Sequence, residues 1–158
     1  MTLVGKIPAL VFAILFIPAI CIAQNCEVGV RVIKGSEKEG KSTDLNSLGK
    51  SLVSMEPQLK KLPYKKYDEM TSRRQQVALG KESRFSVSDA MGKPQTVKVQ
   101  PVSVSEKRVE VLVNWLGADS SKLLSTKVRV LNGESVMLGT DSSGKHSTIL
   151  SIKVSCPS

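Results

Sequence analysis

The sequence predicts a mainly β (α+β) protein, an antiparallel β-sandwich or open barrel of about seven to eight strands with one N-terminal amphipathic helix. Short runs in which β-branched residues alternate with polar ones cover most of the chain, and turn residues separate these runs. One early segment instead carries apolar residues at helical spacing. The chain has 158 residues with a formal net charge of +9, a length that accommodates one domain.

The first residues form a secretory signal pattern. Lys6 supplies a positive charge, Ile7–Ile20 is almost wholly apolar, and small residues follow at Cys21 and Ala23. A basic start, an apolar run and a small-x-small cleavage site are typical of a signal peptide, here residues 1–23. A membrane anchor is the alternative, but the run is short for a span.

Cleavage after this segment leaves residues 24–158 as a single disulfide-stapled β-rich domain without a transmembrane span. Two cysteines remain, Cys26 and Cys156, and in an exported protein they predict a disulfide. Two separate buried thiols are the alternative. A lipid anchor on Cys21 is a minor alternative, because lipoprotein signals favour a small residue where Ile20 stands.

The first strand of the mature chain and the helix follow from periodicity. Alternation from Cys26 to Val32 predicts a half-buried strand, and the charged residues 35–42 predict a loop. Asp44 is placed to cap a helix that kinks or restarts at Pro57 and ends before Pro63. One apolar stripe, explained by core packing or by a partner groove, marks this helix: Leu45, Leu48, Leu52, Met55 and Leu59.

Strands follow one another from residue 75 onward. A short strand is predicted at 76–79, another at 85–87 with a turn at 89–94, and a third at 97–104 with a bulge or edge position at Pro101. Val109–Trp115 is the most regular run, and Leu112 and Leu116 on its other face predict a central strand covered on both sides.

The end of the chain carries the turn signals. Asn132-Gly133 between two alternating segments predicts a β-hairpin, and residues 141–145 predict a second turn before a last strand at 150–154. Cys156 falls on the same side as the apolar residues of that strand, and Cys26 falls on the same side as the apolar residues of the first strand. We therefore expect the first and last strands to be adjacent.

A basic segment at 60–74 contains the candidate binding residues. Charge and aromatic rings together suit an anionic partner, whereas a solvated charged face, with the tyrosines as lids over the core, is the plainer alternative. The residues are Lys60, Lys61, Tyr64, Lys65, Lys66, Tyr67, Arg73 and Arg74.

No catalytic, metal or cofactor site is predicted. The pattern Gly139-x-x-x-x-Gly144-Lys145 resembles a phosphate loop, but His146 replaces the required Ser or Thr and a strand follows. His146 is the only histidine and cannot build a usual zinc site alone. We expect no enzyme, although paired carboxylates or a Ser/Lys dyad would escape detection.

Two stretches carry family resemblances. Residues 59–67, leading into Val77-Ala-Leu-Gly80, resemble a family of small exported bacterial β-rich proteins, in which a helix ends in a Tyr-x-x-Tyr element before the first sheet strand. Residues 128–139 and 149–154 are similar to that family too. Asn132-Gly133 with Val136-Met-Leu-Gly139 is similar to the closing hairpin of outer-membrane secretins. The first resemblance implies no catalytic residues, and the second implies an envelope-assembly role.

These observations predict a non-catalytic exported domain that binds another cell-envelope component, most simply a protein, in the periplasm or outside the cell. Such a partner requires an exposed apolar patch or a free strand edge. The alternative is an electrostatic binder of lipid head groups, polyanionic glycans or, less favoured, nucleic acid. That alternative requires the six basic residues of segment 60–74 to converge on one face without intervening carboxylates.

Overall fold

The structure is a computed structural model that describes residues 24–36, 48–140 and 146–157. Within these ranges it contains eight strands, one 3-10 helix and one short α-helix. The elements are β1 (Asn25–Ser36), the 3-10 helix (Val53–Met55), α1 (Glu56–Leu59), β2 (Lys66–Ala78), β3 (Ser83–Ser88), β4 (Pro94–Ser105), β5 (Arg108–Leu116), β6 (Lys122–Leu131), β7 (Ser135–Thr140) and β8 (His146–Ser155).

The strands form two antiparallel sheets of four strands each. Sheet A has the order β2-β1-β8-β7 and sheet B the order β3-β4-β5-β6. The sheets face each other with β2 beside β3 and β6 beside β7, and neither closes on itself. The predicted class, a mainly β antiparallel sandwich, is confirmed.

The main core lies between the sheets. Alternate residues of the inner strands point inward and are fully buried, as the period of two requires. Trp115 and Phe85 are the largest of them. Trp115 Nε1 donates a hydrogen bond of 2.7 Å to Gln95 Oε1, so the one polar atom of this ring is satisfied.

The first and last described strands are adjacent, as predicted. β1 and β8 pair antiparallel, with Val28 opposite Val154. The sulfurs of Cys26 and Cys156 lie at bonding distance, 2.08 Å, across 130 residues of sequence. The pair singled out from the sequence is therefore positioned to form the disulfide.

The irregularity predicted at Pro101 is present. The register of β4 against β5 shifts between Pro101 and Ser103, which is the bulge that a residue without a backbone donor favours. β5 is central in sheet B, between β4 and β6. Its outward residues, Leu112 and Leu116 among them, are only half-buried, so the expected cover on both sides is wrong.

The predicted amphipathic helix is much shorter than expected. Its start at Asp44 and its first apolar residue, Leu45, lie outside the described residues. From residue 48 onward the chain is helical only at 53–59, and Pro57 sits in the first turn of α1, where its missing donor costs nothing. Turns closed by i→i+3 hydrogen bonds, such as Leu52 N–H to the Gly49 carbonyl at 2.8 Å, keep the apolar stripe on one side.

That apolar stripe forms a second core on the outer face of sheet A. Residues 48–65 cover this face where Ile33 of β1 and Ile149 of β8 point outward. The core-packing explanation of the stripe is thus correct. The buried members of the second core are Ile33, Leu52, Met55, Leu59, Tyr64, Tyr67 and Ile149.

The hairpin predicted at Asn132-Gly133 is wrong, because β6 belongs to sheet B and β7 to sheet A. The dipeptide is a corner at which the chain changes sheets, with Gly133 at φ +84°. Asn132 Nδ2 donates to the Cys156 carbonyl at 2.7 Å, and its Oδ1 accepts from the Cys156 N–H at 2.8 Å. The amide thus pairs with the residue that follows β8, at the point where the chain passes from sheet B to sheet A.

β2 is longer than the sequence indicates. The short strand predicted at 76–79 is the end of a strand that begins at Lys66. β2 is an edge strand and half of its length faces solvent, so polar and charged residues stand at positions where apolar ones would show the alternation of a strand. The second predicted turn, at 141–145, lies outside the described residues.

Candidate functional site

The two tyrosines of the basic segment are buried in the second core. Tyr64 is 6% and Tyr67 is 4% exposed, and their rings meet edge to face with centroids 6.2 Å apart. The Tyr67 hydroxyl donates to the Leu59 carbonyl at 2.8 Å, and burial raises the pKa of this phenol. The rings are lids over the core, the plainer of the two alternatives, and neither ring face is exposed for stacking on a ligand.

The six basic residues of that segment do not form one surface. Three of them lie beside carboxylates: Lys60 Nζ is 2.6 Å from Glu56 Oε1, Lys66 Nζ is 3.7 Å from Asp68 Oδ2, and Arg74 Nη1 is 3.9 Å from Glu27 Oε1. Arg73 and Arg74 follow one another on β2 and so point to opposite faces. Lys61 is exposed and Lys65 half-buried at the start of the strand. The geometry required by the electrostatic alternative is absent from this segment.

The four sheet edges differ in how well they are protected. β2 has a bulge opposite Val32 and Ile33 and many charged residues, β3 carries Arg84, and β6 carries lysines and an arginine. Charges and bulges of this kind keep an edge from pairing with other chains. Among the edge strands that the structure describes, β7, with the sequence SVMLGT, has no charged residue and no proline.

Apolar side chains line the inner side of the β7 edge. Val136 and Leu138 point toward the main core and are only half-buried. Across the same open side of the sandwich, β6 contributes Leu124, Val128 and Val130, which are also half-buried. The two sheets therefore leave an apolar seam between their facing edges.

An apolar cavity lies along the outer side of the same edge. It has a volume of about 260 Å³ and lies between β7, β8 and the chain at 62–64. Its lining includes Leu62, Pro63, Tyr64, Met137 and Ile149, together with Gly139 at its rim. An added Cβ at Gly139 would meet no atom within 4 Å, so this part of the edge is open.

Tyr64 is the fixed wall of this cavity. Its hydroxyl is hydrogen-bonded to the Ser147 hydroxyl of β8. Its ring lies against Gly35 of β1, where a Cβ would come within 2.7 Å of ring atoms. Contacts with β1 and β8 thus position one side of the cavity beside the edge of β7 that pairs with no other described strand.

These features together are the geometry of a strand-addition site. An extended peptide paired with the free side of β7 would place alternate side chains in the outer cavity and in the inner seam. Main-chain hydrogen bonds would supply affinity and the two apolar spaces specificity. The sequence pattern did not predict this site, because the expected hairpin pairs β7 with β6 and leaves no free edge. The available signal was the absence of charge in residues 135–140.

The described residues also bear on membrane and metal functions. No helix within them has the length and apolar character needed to cross a membrane. No group of three or more His, Cys, Asp or Glu side chains is arranged to hold a metal ion in this part of the chain. His146, the first residue of β8, is half-buried and pairs in register with Ser36.

Comparisons with known proteins find a distant likeness at the level of structure. No protein-family profile matches the chain, and no curated protein sequence matches it. Among solved structures, the fold is similar to the Salmonella SPI-1 type III secretion injectisome secretin InvG in its open-gate state, with 10% identity and a TM-score of 0.44. The match covers 85% of this chain and 61% of the secretin chain, so the protein spans less than two thirds of that structure. The predicted likeness to secretins is thus present as a weak likeness of fold, and a match at this level defines no shared function.

Proposed function

We propose that this protein is a non-catalytic domain of the cell envelope that binds an extended, apolar segment of another envelope protein by strand addition at β7. The observation that carries the proposal is the edge of β7, which has no charged residue, pairs with no described strand other than β8 and is flanked by apolar space on both faces. Unprotected edges of this kind are uncommon in monomeric β proteins, because they invite pairing with other chains.

The compartment follows from the sequence. The signal pattern at residues 1–23 sends the chain out of the cytoplasm, and an oxidising compartment allows the Cys26–Cys156 pair to persist as a disulfide. The partner is therefore another exported or envelope-embedded protein. Retention in the periplasm and release from the cell are both consistent with this proposal.

The electrostatic alternative receives less support from the geometry. Carboxylates stand beside three of the six basic residues predicted to act together, and both tyrosines are buried. Surface ion pairs of this kind are typical of a solvated face.

A peptide selection tests the strand-addition site and does not require that the partner be identified first. Randomised seven-residue peptides displayed on phage are selected against the protein, and enriched peptides are then tested against Gly139→Lys and Ser86→Lys. Gly139 lies at the rim of the outer cavity, whereas Ser86 is an exposed residue of β3 at the edge of sheet B. Both variants add one lysine to an edge strand.

We expect enriched peptides with apolar residues at alternate positions, whose binding is lost in Gly139→Lys and kept in Ser86→Lys. A charge on an edge strand blocks pairing without disturbing the core. Peptides without alternation, or peptides that bind the two variants equally well, would remove the β7 edge as the binding surface.

A further inference from the structure

We infer that the outer face of sheet A holds a second, independent site, which binds a phosphoryl group. It is a hollow of about 100 Å³ at the half of this face that the second core leaves uncovered. Its lining is basic and rich in hydroxyl groups, in contrast to the apolar cavity beside β7. The lining residues that define its chemistry are Gly29, Arg31, Ser72, Arg74, Ser151 and Lys153.

Strand register brings these residues together. In one row across the sheet, Gly29 of β1 lies between Arg74 of β2 and Lys153 of β8. In the next row on the same face, Arg31 lies between Ser72 and Ser151. Residues two apart on a strand share a face, so three cations and two hydroxyl groups are neighbours on this face.

Gly29 makes the floor of the hollow. A Cβ at this position would lie 3.7 Å from Arg74 Cγ and 3.9 Å from Lys153 Cβ, in ordinary van der Waals contact. The backbone conformation therefore does not require glycine here. The missing side chain leaves room between two cationic neighbours, where any larger residue would fill the space.

The remaining walls complete the enclosure. Ser54 and Met55, from the helical segment over the second core, close one end, and Ser135 of β7 lies beyond Lys153. Arg31 is held at that end, since its Nη1 donates to the Ser51 carbonyl at 2.6 Å. A guanidinium positioned in this way loses little conformational freedom when a ligand arrives.

The charge at the hollow is positive after its carboxylates are counted. Three cationic side chains of this face line it, Arg31, Arg74 and Lys153, together with the carboxylate of Glu27, and the carboxylate of Glu69 lies near Arg31. Glu27 Oε1 is 3.9 Å from Arg74 Nη1, and Glu69 Oε2 is 3.9 Å from Arg31 Nη1, both beyond hydrogen-bonding distance. These five groups have a net charge of +1, which attracts an anion to the hollow.

The chemistry of the lining favours the same ligand. Arginine side chains bind phosphate oxygens in bidentate fashion, and serine hydroxyls donate to the oxygens that remain. The volume of about 100 Å³ exceeds the roughly 10–15 Å³ that one water molecule needs and accommodates one tetrahedral oxyanion. Either a free phosphorylated compound or a lipid head group could supply this group.

Binding is measured with inorganic phosphate as the probe. The sample is the protein as it is isolated from the cells that produce it. The amide resonance of Gly29 is followed by NMR as phosphate is added at constant ionic strength, with chloride as the replaced anion. We expect a saturable shift with phosphate that chloride does not reproduce. An equal response to chloride, or none to phosphate, would overturn the proposal.

Substitutions test whether phosphate binds in the hollow. Arg74→Gln and Lys153→Gln are each expected to weaken phosphate binding about tenfold, the loss typical of a charge-assisted hydrogen bond. Arg84→Gln and Lys98→Gln are the matched controls, because these residues lie in sheet B beside Glu82. Equal weakening by both pairs would show a general effect of net charge and contradict the site.

Vesicles separate the two sources of the phosphoryl group. Cosedimentation with vesicles containing phosphatidic acid, lost in Arg74→Gln and Lys153→Gln, would identify a lipid head group at this site. Phosphate binding without vesicle binding would identify a soluble ligand. Vesicle binding that survives both substitutions, together with no response to phosphate, would rule the site out.

Discussion

Gly35 and Tyr64 fit together so closely that no side chain can be added between them. A Cβ built on Gly35 would lie 2.7 Å from two atoms of the Tyr64 ring. The ring lies against the β1 backbone and forms a wall of the cavity beside β7. This one contact therefore connects the second core with the proposed strand-addition site.

Gly35→Ala is expected to lower the free energy of unfolding by about 1–3 kcal/mol, the usual cost of overpacking. Because Tyr64 must move, binding of the selected peptides should weaken as well. Urea unfolding and peptide titration measure the two effects. Gly29→Ala, on the same strand but with only ordinary contacts for its Cβ, is the matched control for stability, and an equal loss there would contradict the explanation.

Asn132→Ala is expected to cost about 1–3 kcal/mol, because it leaves the N–H and carbonyl of Cys156 without their partner. The control is Asn114→Ala, whose side chain accepts one surface hydrogen bond, 2.7 Å long, from the Ser125 hydroxyl. Denaturant midpoints compare the two variants. A cost at Asn132 no larger than that at Asn114 would show that the corner does not depend on this amide.

Replacing Cys26 and Cys156 together by serine is expected to lower stability by about 2–5 kcal/mol, since the bond would close a loop of 130 residues. Reduction of the wild-type protein should reproduce this loss. Mass spectrometry of the protein isolated without reductant checks the bond itself. Two free thiols in that protein would show that the predicted pair does not form.

The buried phenol of Tyr67 is expected to lower the free energy of unfolding at alkaline pH. Burial raises its pKa above the ordinary value of about 10, so the folded state keeps the proton that the unfolded state releases. The stabilisation is complete below about pH 10 and falls as pH rises toward the folded-state pKa. The difference in unfolding free energy between wild type and Tyr67→Phe should therefore shrink as the pH is raised above about 10, and a constant difference would contradict this.

The alternation of apolar and polar residues in the sequence predicted most of the strands. Regular runs such as Val109–Trp115 predicted a strand directly, and the shared parity of Cys26 and Cys156 predicted that the first and last strands are neighbours. Both predictions depend only on the period of two along a strand. Pro101 was equally informative, because the missing donor limits a proline to a bulge or an edge.

Local patterns failed where a distant contact decides the structure. Asn132-Gly133 has the composition of a hairpin turn, but the Asn132 side chain bonds to Cys156, 24 residues away. Residues 66–75 have the pattern of a polar segment, although β2 pairs with β1 along its whole length. The candidate edge at β7 depends on which strands pair, and no periodicity contains that information.

The proposed function requires that the side of β7 that faces away from β8 accept another strand. Amide hydrogen exchange of the protein, measured with and without a selected peptide, tests it most directly. We expect slower exchange for amides within residues 135–140 and unchanged exchange in β3, because a paired edge gains main-chain hydrogen bonds. Binding of the peptide with unchanged exchange across residues 135–140 would contradict the claim.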